Sequence, residues 1–174
     1  MSKRFAITAG HSDSDPGAVA NGRKEAEIAR DMRNMVAAKL RERGHKVMTD
    51  GERHQNLPLA AAITLAKQAQ VAVEFHCNAA TSAQANGIET ISLPKDKALA
   101  QRISKAISGV TGARLRGDAG WIDQSQSARG KLGFVSAGGL IVELFFISNP
   151  AELATWDAKK WLVATAVADA LEAK

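Results

Sequence analysis

The sequence predicts a single-domain α/β protein with a twisted, mainly parallel sheet of about five to six strands and helices on both faces. Three observations carry that reading. Short apolar runs of strand length alternate with longer stretches of helical periodicity along all 174 residues. The most apolar run, residues 140–147, is apolar on both faces, as a central parallel strand must be. No repeat, linker or composition shift divides the chain, and a hydrophobic content of 45% suffices for a core of its own.

Each element has its own signal. Residues 4–9 alternate as a strand ending at Gly10-His11, and a loop of small and polar residues, 12–21, follows. Residues 22–43 read as an amphipathic helix: Ile28, Ala29, Met32, Met35, Val36 and Leu40 recur at threes and fours, and Gly44 stops it. Val47 and Met48 mark a short strand. Residues 57–70 read as a helix with Pro58 in its first turn, 71–77 as a third strand, 87–93 as a fourth and 95–108 as a helix. The stretch 109–139, rich in Gly, Ser and Gln, reads as a long surface segment with some strand near 132–135. After strand 140–147, Asn149-Pro150-Ala151-Glu152 supplies a helix start, and helical pattern continues almost to Lys174.

Composition narrows the function classes. The net charge of +5 suits anionic partners such as wall polymers or lipid headgroups, with weak attraction to anionic envelope surfaces but no stable membrane insertion. Nucleic acid is not expected. The basic residues Arg30, Arg33, Lys39, Arg41 and Arg43 scatter on one helix as a solvated face, tyrosine is absent, and no base-reading motif occurs. Cys77, the sole cysteine, has no internal bridge partner. The apolar run 5–9 is too short for a signal peptide, so the expectation is a protein made in the cytoplasm and exported by another route.

Glu143 stands inside the most apolar run. An ionised carboxylate there is costly unless something positive compensates it, so Glu143 marks a nearby cation, a catalytic role, or a structural ion pair to Arg or Lys. His11 follows the first strand and His76 closes the third, and sites in open parallel sheets form beyond the carboxyl ends of strands. Either histidine alone reads more readily as structural; together with Glu143 they converge on one rim. Glu25 precedes Ile28, Ala29 and Met32 by three, four and seven, which puts it on the inward stripe of its helix, near the loop of His11. Its plainer reading is a carboxylate favoured by the helix dipole, which Glu27 fits better. His11, Glu25 and His76 form a two-histidine, one-carboxylate set that suits one Zn2+ with a fourth position left for water. No HExxH signature is present.

Several motifs carry a family likeness. Ala9-Gly10-His11, then Asp15-Pro16-Gly17-Ala18, Asn21-Gly22 and Glu25, resembles the opening of the zinc-dependent N-acetylmuramoyl-L-alanine amidases, the amidase-3 family. Phe75-His76-Cys77-Asn78-Ala79 resembles that family's second histidine motif, Gly87-Ile88-Glu89 the strand after it, and Arg116-Gly117 a later pair. Val142-Glu143-Leu144-Phe145-Phe146-Ile147-Ser148-Asn149 resembles the closing motif around the catalytic glutamate. The likeness runs in order from about residue 5 to about residue 170. It implies one zinc ion held by His11, Glu25 and His76, with Glu143 as acid/base. It also implies the bond hydrolysed: the amide between N-acetylmuramic acid and L-alanine in peptidoglycan, with wall lysis as the result. The compact chain, read as one catalytic domain over 1–174 without a wall-binding domain, is also similar to phage endolysins. That likeness implies a monomer reaching the wall through a holin.

Departures from the family qualify the details. Thr49-Asp50-Gly51 stands where an Arg is common, and Gly138-Gly139 where a proline is usual. Glu74 replaces a small hydroxyl residue on the same strand face as His76, where it either orients that imidazole or faces a helix. Asn78 is a candidate contact beside the site. Trp121, Asp123, Gln124 and Arg129 are expected to cover the groove, Arg129 as a carboxylate clamp. Cys77 points to the opposite face as a buried small hydrophobe, and His45 and His54 read as surface residues. Two alternatives stay open: a related zinc peptidase or carboxypeptidase, and a non-catalytic wall-binding module. The second should lack a ligand or Glu143, and none is missing.

Overall fold

In the computed structural model, which describes residues 2–173, the chain begins with β1 (Arg4–Ala9) and a hairpin of β2 (Val19–Ala20) and β3 (Arg23–Lys24). There follow α1 (Glu25–Glu42), β4 (Lys46–Met48), α2 (Leu59–Ala66), β5 (Val71–Asn78) and β6 (Glu89–Ser92). The remainder is α3 (Lys97–Thr111), β7 (Trp121–Asp123), α4 (Gly133–Ser136), β8 (Leu140–Phe146) and α5 (Pro150–Glu172). Lys174, near which the last helix was expected to end, lies outside the described residues.

Six strands form one sheet in the order β4-β1-β5-β8-β6-β7. The first four run parallel, β6 joins β8 antiparallel, and β7 follows β6 in parallel. The α/β class, the strand number and the mainly parallel sheet are therefore as expected. The two-residue period of the strands assigns every side chain to a face. Phe5, Ile7, Val73, Phe75, Cys77, Leu140, Val142 and Leu144 meet α1, α3 and α5 in the larger core. Ala6, Ala72, Ile91 and Ile141 meet α2 and α4 in a smaller one.

That second face is only partly covered, because α2 has eight residues and α4 four. Beyond their reach, the positions on this face turn polar: Thr8, Glu74, His76 and Glu143. The functional groove opens there. Among the described residues no helix is long and apolar enough to cross a membrane.

Three local expectations are corrected. The first helix starts at Glu25 rather than residue 22, because Asn21 and Gly22 adopt left-handed φ (49° and 73°) in the β2–β3 turn. Pro58 is the residue before α2, not part of its first turn. The apolar run near 132–135 is helix, not strand; Phe134 and Val135 are buried on the face that α2 covers. The expected start of the last helix stands: the Asn149 side chain accepts from the N–H groups of Ala151 and Glu152, with Pro150 first.

Candidate metal centre

The site is assembled where β1, β5 and β8 end. The Ala9 N–H donates to both carboxylate oxygens of Asp50, each at 3.2 Å, and the fully buried Arg33 donates to one of them at 3.2 Å. The Asn56 side chain donates to the Gly10 carbonyl at 2.9 Å. Held by these bonds, the chain turns at His11, whose φ of 66° is left-handed. Close approach requires small residues on either side. A β-carbon on Gly10 would lie 2.2 Å from the His76 ring, and one on Gly17 would lie 2.6 Å from the His11 ring and 2.7 Å from Glu25 Oε2.

Glu25, first residue of α1 and 4% exposed, stands between the two imidazoles. His11 Nε2 is 2.9 Å from its Oε2, and His76 Nδ1 is 2.9 Å from its Oε1. It also accepts from the Ala18 N–H at 2.9 Å and the Cys77 N–H at 3.0 Å. Burial would raise the Glu25 carboxyl, but the two histidines and the Ala18 N–H outweigh it and hold it well below the usual carboxylate range. Burial opposes charge on His11 and His76 too, yet hydrogen bonds to Glu25, and to Asp15 and Glu74 respectively, raise both.

Each ring has a second carboxylate on its other nitrogen. His11 Nδ1 lies 2.9 Å from Asp15 Oδ2, and His76 Nε2 lies 3.0 Å from Glu74 Oε1. The cluster thus has the parts of a metal centre. One ligand atom each from His11, Glu25 and His76 lies within 4.8 Å of the others, and a carboxylate behind each imidazole fixes its tautomer and orientation. The donor set, two imidazoles and one carboxylate, fits a divalent ion of the zinc type.

Glu143 is the register partner of His76 on the neighbouring strand. Its Oε2 is buried with no hydrogen-bond partner among the described residues. Burial pushes its carboxyl up to about 7; His76 pulls it down, and Glu25 and Glu89 push it further up. The groove over these residues has a volume of about 940 Å3. Pro58 and Leu59 line one wall, and Ile122, Gln126 and Arg129 belong to the wall from the 109–139 segment.

The other sequence candidates divide. Glu74 lies on His76, which decides between its two readings in favour of an imidazole partner. The Asn78 side chain donates to Glu89 Oε1 at 3.1 Å in the groove floor, and Arg129 is exposed on the rim. Trp121, Asp123 and Gln124 do not line the groove; Trp121 ties the segment to β6, and the other two tie it to itself. The Trp121 indole donates to Ser92, Asp123 accepts from Ser125, and Gln124 accepts from the Leu132 N–H. His54 is exposed, but His45 is half-buried, edge-on to Phe5 and 2.6 Å from Glu172, rather than a free surface residue. Cys77 is buried in the larger core. Sequence reasoning missed Asp15 on His11 and the pairing of Arg116 with Glu89 at 2.7 Å. The first was findable as the acidic residue four positions after His11, inside a motif already noticed.

A family model described as N-acetylmuramoyl-L-alanine amidase matches residues 6–173. A Neisseria meningitidis structure assigned as an N-acetylmuramoyl-L-alanine amidase is 44% identical with a TM-score of 0.90, covering 97% of this chain and 93% of that one. The catalytic domain of CwlV, the amidase of Bacillus (Paenibacillus) polymyxa var. colistinus, is 25% identical with a TM-score of 0.83, covering 97% and 96%. The amidase LytC of Bacillus subtilis (strain 168) is 28% identical over 153 residues, 84% of this chain; the chain spans 30% of that relative's length.

Proposed function

The chain belongs to the N-acetylmuramoyl-L-alanine amidase family, and from that membership we propose that it hydrolyses the amide between the lactyl group of N-acetylmuramic acid and L-alanine in peptidoglycan. One zinc ion is held by His11, Glu25 and His76, and Glu143 is the acid/base. The observation that supports this most directly is the convergence of three ligand atoms within 4.8 Å beside a carboxylate whose buried oxygen has no partner among the described residues.

When bound, zinc supplies Lewis acidity: it acidifies water from a pKa of about 16 toward about 7 and draws charge from a carbonyl oxygen. The chain's own residues do the rest. Glu143 takes one proton from the attacking water as its oxygen bonds to the lactyl carbonyl carbon. The carbon–nitrogen bond then breaks, and Glu143 returns that proton to the departing alanine nitrogen, which leaves as an amine; the second water proton, left on the lactyl carboxylic acid, passes to that amine, giving a carboxylate and an ammonium group. Burial raises the Glu143 carboxyl, which favours its keeping the proton between the two transfers. Glu74 and Asp15 keep the two imidazoles aimed at Glu25. Asn78 steadies the groove floor through Glu89, and Arg129 on the rim meets an anionic part of the wall away from the cut bond.

Elemental analysis beside turbidity loss of isolated sacculi tests this reading. One zinc per chain is expected, with lysis lost on chelation, restored by zinc, and accompanied by new L-alanine amino ends. Release of C-terminal amino acids instead would identify a carboxypeptidase, and lysis that persists after complete metal removal would overturn the zinc centre. The setting proposed is that of an endolysin acting as a monomer after release from the cytoplasm. Co-expression with a holin should then lyse cells that expression alone leaves intact.

A further inference from the structure

We propose that Arg116 is the receptor for a carboxylate on the leaving peptide, so that the groove selects stem peptides whose residue next to L-alanine keeps its α-carboxylate free. The inference rests on the amidase reading and adds the part of the substrate it recognises.

Three adjacent strands place His76, Glu143 and Glu89 in one register row on the groove face. His76 belongs to the metal cluster, and Glu143 delivers the proton to the leaving nitrogen, so that nitrogen sits over the middle of the row. Beyond it, away from the cluster, lie Glu89 and Arg116. Neighbouring strands are about 4.8 Å apart, and a residue spans at most about 3.6 Å. A carboxylate on the second residue of the leaving peptide therefore comes within reach of the Arg116 side chain.

The guanidinium is held as a receptor would be. Its Nε donates to Glu89 Oε2 at 2.7 Å, Nη1 donates to the Asn86 carbonyl at 3.4 Å, and its plane lies 4.9 Å from the Phe146 ring centre. The other oxygen of Glu89 takes the Asn78 amide, so Glu89 is fully engaged in orienting its neighbours. A purely structural pair would turn the two-pronged edge of the arginine onto Glu89. Here only one edge is used, the side chain is 33% exposed, and Arg116 lines the groove. Among the described residues the arginines lining the groove are Arg116, beside the row, and Arg129, exposed on the rim. Asp15, Glu25, Glu74, Glu89 and Glu143 all line the groove, and they would repel an acidic peptide unless a cation received it.

The test compares two synthetic muramyl dipeptides whose D-glutamate γ-carboxyl is blocked as its methylamide, one with a free α-carboxylate and one carrying the α-carboxamide. The chain should prefer the free acid by about tenfold or more in kcat/KM. Arg116→Gln should bring the ratio to near one. A ratio between two substrates is unmoved by any change in turnover common to both. Should Arg116→Gln misfold for want of a partner for Glu89, the double variant Glu89→Gln/Arg116→Gln removes both charges and should give the same ratio near one. Equal or reversed rates for the parent enzyme, or a preference that survives in the variants, overturn the proposal and leave the amidase intact. Cleavage of neither dipeptide at L-alanine, with sacculi also untouched, would instead overturn the amidase reading itself.

Discussion

On β5 and β8, successive residues answer to opposite demands. Val73, Phe75, Leu140 and Val142 are sealed beneath α1, α3 and α5, while Glu74, His76 and Glu143, interleaved with them, face the groove. The backbone is the same; what differs is the cover. One face lies under helices of 18, 15 and 23 residues, the other under helices of eight and four. Burying apolar area stabilises the first face at about 25 cal/mol per Å2. The second carries costs: an acceptor on Glu143 without a partner, a left-handed His11, and carboxylates in close company. The apolar face thus holds in place an arrangement the polar face would not adopt alone.

Paired substitutions in β5 and β8 sharpen this contrast most. Glu143→Gln should lower kcat by about 10²–10⁴-fold while leaving the denaturation midpoint unchanged or higher, since the amide avoids the burial that drives the carboxyl up to about 7. Phe75→Ala should do the reverse, losing about 3–5 kcal/mol of stability by denaturant unfolding. A Glu143→Gln protein as unstable as Phe75→Ala would break the division of labour between the faces.

Asp50 lies at the border of the two. Burial raises its carboxyl to about 6, against the pull of Arg33 and the Ala9 N–H. A folded pKa above the ordinary value of 3.8 means its contribution is fully present below that value and is lost as pH climbs through about 6. Unfolding free energies of the parent and Asp50→Asn should therefore diverge with rising pH, the parent losing up to about 3 kcal/mol relative to the variant. Parallel pH curves would refute this.

Glu74→Gln carries the smallest expected effect, about 10–100-fold in zinc affinity by competition with a chromophoric chelator. An unchanged affinity would show that Glu74 does not support the ligand on its own strand.

The long elements were legible because their periods are long enough to count. Ile28, Met32 and Leu40 define α1 and place Glu25 on its inner side, and the apolar run of β8 announces Glu143 as out of place. The short elements were not legible. A strand of three residues such as β7, or a helix of four such as α4, has too few side chains to display a period, and only tertiary contact makes Gly133 to Ser136 helical rather than extended. The hairpin before α1 had its Asn21-Gly22 turn in plain view but strands of only two residues. The contacts of Arg33 with Asp50 and of Arg116 with Glu89 join separate segments. The first depends on how α1 packs beside the loop after β4, and the second follows from the bridge between Ile88 and Leu115; no local pattern encodes either.

The burial of Cys77 has a practical corollary. Its backbone N–H donates to Glu25 between the two imidazoles, yet its thiol lies on the far face in the larger core, where burial drives its pKa well up. Alkylating agents should consequently spare the intact enzyme and mark it only when β5 parts from α1. The lone sulfur is a reporter of breathing motions, one that clocks how often the large core opens and, with it, how often Glu25 parts from His76.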